Sequence, residues 1–81
     1  MRIAVLSHKD VAGKYAATLI QRGHEVIISG GGAIHAVGLQ PYLECGGCLL
    51  LGEDSDLVEI AQHMELAGRM IWRELSDVPN E

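Results

Sequence analysis

The stretch that decides the fold is "RIAVLSHKDVAGKYAATLIQRGHEVIIS", Arg2 to Ser29. Arg2–Leu6 is a continuous apolar run, the signature of a strand buried on both faces. Ser7 to Asp10 reads as a loop, with Asp10 placed to cap the helix that follows. Val11, Ala12, Tyr15, Ala16, Leu19 and Ile20 then recur on one face of a helix. Gly23 is positioned to end it as the residue just past the C-cap. Glu25–Ser29, rich in β-branched residues, is a second strand. Strand, helix and strand within about 30 residues make a βαβ unit, whose two strands run parallel.

Working outward, the second strand empties into Gly30, Gly31 and Gly32. Ala33 to Val37 reads as a helical turn, and Gly38 and Pro41 prevent a long helix. Pro41 to Cys45 is expected as a short helix with Pro41 in its first turn. Cys48 to Gly52, "CLLLG", is a third buried strand. An acidic loop follows, and Asp56 with Glu59 three residues on resembles a capping box. Leu57, Ile60, Ala61, Met64 and Ala67 form the apolar face of the next helix. That helix has two readings. Its stripe continues through Ile71 to Leu75, or Gly68 stops it and Arg69 to Leu75 form a fourth strand. The second is preferred, and the tail from Ser76 reads as polar and frayed. The fold expected is a single α/β domain over residues 1–81: a small three-layer open sheet, mostly parallel, flavodoxin- or Rossmann-like, of about four strands.

Composition limits the functions such a domain can have. A chain of 81 residues has a thin core, burying only about 60% of its unfolded surface. An apolar fraction of 48% without any Phe is high for that size and points to association with another copy, as a homodimer or higher homo-oligomer. Two open sheet edges would give such contacts a place, and Trp72 and Tyr42 are the aromatic groups expected there, with burial of Trp72 in the core the alternative. The net charge of −5 and the scattered basic residues disfavour nucleic acid as a partner. The apolar start is too short for a leader, and no segment has the roughly 20 apolar residues that cross a bilayer. The protein is therefore expected to be cytoplasmic, with no membrane partner.

Ligands of open parallel sheets bind at the carboxyl ends of the strands. That rule collects Ser7, His8 and Lys9 after the first strand, Ser29 to Gly32 after the second, and Asp54 and Ser55 after the third. Backbone N–H groups of a glycine run can meet a phosphate or ribose, and Lys9 or His8 an anion. The plain alternatives are a flexible turn and a solvated loop. No G-x-G-x-x-G follows the first strand, so dinucleotide binding of the usual kind is not expected, and no cofactor is assigned. Cys45 and Cys48 form C-x-x-C before a strand rather than at a helix start, and no second ligand pair accompanies them. They read as reduced, structural cysteines, with no metal expected. Glu53, Asp54, Asp56 and Glu59 complement a helix N-terminus. Glu59 is also the candidate catalytic carboxylate, a nucleophile or base, with His63 one turn on.

The "RGHEV" turn (Arg22 to Val26), the "LLL" strand (Leu49 to Leu51), the acidic loop, the helix-borne Glu59 and "ELAGRMIW" (Glu65 to Trp72) together resemble the nucleoside 2-deoxyribosyltransferase-like superfamily. The resemblance implies a flavodoxin-like sheet, nucleoside or nucleotide substrates, oligomers whose neighbouring subunits complete the site, and Glu59 as the group that takes the deoxyribosyl moiety. The strand ending in three glycines is also similar to phosphoribohydrolases of the lysine-decarboxylase-like family, whose second glycine-rich motif this chain lacks. Two main function classes follow, beside a lesser third, a metal or thiol protein using Cys45 and Cys48. One is a nucleotide- or nucleoside-binding domain with N-glycosidic chemistry at Glu59. The other is a non-enzymatic protein of the same fold that works through assembly or by binding a partner.

Overall fold

The computed structural model describes residues 1–7, 12–29 and 38–80. Four strands, β1 (Arg2–Leu6), β2 (Glu25–Ser29), β3 (Gly47–Leu50) and β4 (Met70–Trp72), form one sheet in the order β2-β1-β3-β4, every pair parallel. The helices are α1 (Ala12–Gln21), the short α2 (Gln40–Leu43) and α3 (Ser55–Leu66), and a 3-10 turn spans Leu75–Asp77. No helix among the described residues is long and apolar enough to cross a membrane.

From β1 the chain steps to one side to make β2, then returns past β1 to make β3 and β4 on the other. Right-handed crossovers in opposite directions place their helices on opposite faces of the sheet. Ile3, Val5, Leu49 and Trp72 accordingly pack with Ala12 and Leu19 of α1. Ala4, Leu6, Cys48 and Leu50 pack with Tyr42 of α2 and with Leu57, Ile60, Ala61 and Met64 of α3. The period-2 alternation of each strand divides between these two cores, giving the expected three layers.

Both long helices end alike. Gly23 (φ +95) and Gly68 (φ +81) take the left-handed conformation just past the C-cap. After α1, His24 N–H donates to the Leu19 carbonyl (3.1 Å) and Gly23 N–H to that of Ile20 (3.0 Å). After α3, Arg69 N–H donates to Met64 (2.9 Å) and Gly68 N–H to Glu65 (3.0 Å). This double bond pattern satisfies the last helical carbonyls and turns the chain into the next strand.

Five expectations need correction. The third strand lies at Gly47–Leu50, not Cys48 to Gly52, because Gly52 adopts φ +141 and leaves the ladder. The fourth strand is only Met70–Trp72. The last long helix begins at Ser55, capped by Asp54 rather than Asp56. Trp72 (7% exposed) and Tyr42 are buried inside the chain, so neither is an interface group. The tail is not frayed either. Val78 is buried against Trp72 and Leu49, and Arg22 Nη1 donates to the carbonyls of Leu75 (3.1 Å) and Val78 (3.3 Å). His24 Nε2 lies 2.6 Å from the Pro79 carbonyl and so carries a hydrogen that it donates. The reason is topological. α1 packs on β1 and β2, and among the described residues no helix covers β3 and β4 on that face, where Trp72, Leu75 and Val78 pack instead. The proposed cap Asp10 and the turn at 33–37 lie outside the described residues.

Candidate functional site

In the order β2-β1-β3-β4, the two crossovers leave in opposite directions from adjacent strands, β1 and β3. Such a reversal marks the place, outside the carboxyl ends of those two strands, where open parallel sheets receive their ligands. Its floor is closed: Leu51 N–H donates to the Leu6 carbonyl at 3.0 Å, one residue past the end of β3. Ser7 follows β1 at this floor and is 3% exposed. Ser29 ends β2 level with Leu6, so the ends of three strands meet one rim. On the far side Gly52 reverses the chain, with the Asp54 carboxylate 3.6 Å from the place a Cβ would occupy on it. Asp54 holds the N-cap position of α3 in an extended conformation, without a side-chain capping bond, and Ser55 is its first residue.

The structure therefore brings Ser7, Asp54 and Ser55 to the end of the sheet where Ser29 also terminates its strand. His8, Lys9, Gly30, Gly31 and Gly32 lie outside the described residues.

Glu59 sits in the second turn of α3, two residues further in than a cap at Asp56 would place it. Leu57, Ile60, Ala61 and Met64 face the sheet, so Glu59 is on the outer face, its side chain 60% exposed. It shares a stripe with Ser55, four residues earlier, and helical side chains lean toward the helix N-terminus. His63 Nε2 is 4.0 Å from its Oε1, an exposed pair at i,i+4.

Electrostatics at this rim are acidic. Glu53, Asp54 and Asp56 surround the start of α3, where negative charge is stabilised by the helix dipole. The Asp56 carboxylate also accepts from Leu57 N–H at 3.0 Å. This helix end already holds its anions, and a ligand phosphate has no reason to seek it.

The two cysteines are buried and free. Burial is the main cause that pushes the Cys48 thiol up to about 12 and that raises Cys45, so both are protonated at neutral pH. The Cys45 thiol donates to the Pro41 carbonyl at 3.4 Å. Among the described residues no group of three or more His, Cys, Asp or Glu is placed to hold a metal ion.

Two further hollows were not apparent in the sequence. One, about 210 Å³, runs between α3 and β4 and is lined by Val58, Ala61, Gln62, Glu65, Ile71 and Arg73 among others. The other, about 220 Å³, lies between α1 and the 3-10 turn, at Tyr15, Thr18 and Leu75. Both depend on the pairing of β4 and the path of the tail, which local patterning does not encode. No family model matches the chain, and neither a curated protein nor a solved structure does.

Proposed function

We propose that the protein is a small-ligand-binding α/β domain that takes a nucleoside-type ligand, or the nucleotide built on it, in the crevice between the ends of β1 and β3. The observation that supports this is the reversal of crossover direction between those two strands, the position at which parallel sheets of this kind take their ligands, over a floor closed by the Leu51–Leu6 bond. Asp54 and Glu53 are acceptors suited to sugar hydroxyls, as Ser55 is to base or sugar edges, over the buried Ser7. A phosphate would be matched by Lys9 and the run Gly30 to Gly32, the cation and the glycine N–H groups that the sequence supplies after β1 and β2. Glu59 is the carboxylate available for N-glycosidic chemistry. Its oxygen would bond to the anomeric carbon as the bond to the base nitrogen breaks, and one water would supply the proton taken by the leaving base and the hydroxyl that then displaces the carboxylate from the sugar.

The experiment is a thermal-shift screen of the whole chain against nucleosides and their mono- and diphosphates. A ligand at 100 times its Kd adds about 2.7 kcal/mol, a rise of several degrees in Tm for a domain this small. No shift with any compound removes the binding reading. Where a compound binds, Glu59→Gln that keeps binding and loses base release assigns the chemistry, and full turnover in that variant confines the protein to binding.

A further inference from the structure

We infer that the protein forms a two-fold dimer through its β4 edge, the sheet of one copy continuing into that of the second by antiparallel β4–β4 pairing with the α3 helices side by side. This goes beyond ligand binding and does not depend on it.

The backbone sets the geometry. Met70 N–H donates to the Gly46 carbonyl at 3.2 Å, so Met70 and Trp72 turn their polar groups toward β3. The N–H and C=O of Ile71 then point to the open edge. A two-fold axis at Ile71 lets Ile71 of each copy exchange both bonds with the other. A three-residue edge supplies few such bonds, so apolar contact must supply the rest. It is present in Met70, 57% exposed on the strand, and Leu66, 87% exposed and one turn beyond Gln62 of the groove. The groove itself adds Val58, Ala61 and Ile71.

Charge selects a second copy as the occupant. α3 runs against the strands, its end tied to the start of β4 by Arg69 N–H to the Met64 carbonyl. Glu65 therefore lies at one end of the groove and Arg73, just past β4, at the other. An antiparallel two-fold axis exchanges these ends. Arg73 of the second copy comes to Glu65, and Glu65 of the second copy to Arg73. Neither side chain has an ion-pair partner within the chain among the described residues. Arg69, which could oppose the incoming arginine, is drawn back to its own Leu43 carbonyl by bonds of 2.8 and 3.1 Å. The charged residues flanking the edge, Glu65, Arg69, Arg73 and Glu74, cancel, although the chain carries −5. This is the surface on which two acidic molecules can meet without net repulsion.

The test is sedimentation equilibrium of the full chain from about 1 μM to about 1 mM, a range that captures moderate self-association. The wild type is expected to show a closed monomer–dimer equilibrium. Arg73→Glu and Glu65→Arg should each raise the dimer Kd about tenfold or more, and the double swap should restore it to within about threefold. Met70→Lys, a charge on the edge strand, should weaken the dimer without affecting the fold seen by circular dichroism. A wild type that stays monomeric at about 1 mM overturns the inference. So does a dimer indifferent to both reversals, or a double swap that stays as weak as the single variants.

Discussion

A methyl group placed on the Cα of Gly47 would run into the six-membered ring of Trp72 and stand 2.8 Å from the Met70 carbonyl oxygen. The clash arises because Trp72, opposite Leu49 in the ladder, lays its indole along the sheet toward Gly47 rather than out to solvent. The bare backbone of Gly47 is thus the seat of the only tryptophan. Gly46 differs, since the close atoms a Cβ there would meet, Cγ at 2.7 Å and the sulfur at 2.9 Å, belong to the flexible Met1 side chain rather than to a ring or to backbone. Gly47→Ala should therefore destabilise the fold by about 1–3 kcal/mol, the usual range for overpacking against a ring that cannot retreat. Gly46→Ala should cost less, because Met1 can change rotamer. Urea unfolding followed by Trp72 emission measures both. Equal losses in the two variants would mean that the ring does not rest on Gly47.

At the scale of elements, the segments with one physical reading were the legible ones. β1 and β2 have the residue ranges expected, because each is an unbroken apolar or β-branched run closed by a polar residue or a glycine turn. Gly23 and Gly68 ended their helices as expected, since only glycine takes positive φ without strain. The start of α3 was less legible because Asp54 and Asp56 are equally good caps by chemistry, and the choice falls to where β3 ends. The last strand and tail were misjudged because the burial of Val78 and the packing of the half-buried Leu75 depend on a gap left by topology, which no local pattern reveals. Of the site, the acidic rim was readable from the chain, whereas the crevice between β1 and β3 required strand order. The tail makes a direct prediction. Val78→Ala removes packing from the gap beside Trp72 and should cost about 2 kcal/mol with a red shift in Trp72 emission. A loss under about 0.5 kcal/mol, the level of an ordinary surface change, would detach the tail from the core.

For the whole molecule, net charge and its distribution decide which ligand the crevice prefers. The segments that follow β1 and β3 in the sequence set Lys9 against Asp10, Glu53, Asp54 and Asp56, within a chain of net charge −5. Each phosphate added to a nucleoside brings further negative charge to that mouth. Repulsion between exposed charges acts over about 10 Å at 0.1 M salt and is nearly abolished at 1 M. Affinity should therefore fall from nucleoside to diphosphate at low ionic strength, and the gap should narrow as salt is raised, while the nucleoside itself stays insensitive. Titration calorimetry with one nucleoside and its diphosphate at two salt concentrations measures this. Asp54→Asn should lift diphosphate affinity at low salt, because it removes a charge from the α3 cap while asparagine caps a helix as well as aspartate. The opposite order, with the diphosphate bound about tenfold more tightly and weakened by salt, would place the phosphates on Lys9 and the glycine run with attraction outweighing the acidic rim. In that case the ligand is a nucleotide, and Gly30 to Gly32 rather than Asp54 are the residues to mutate next.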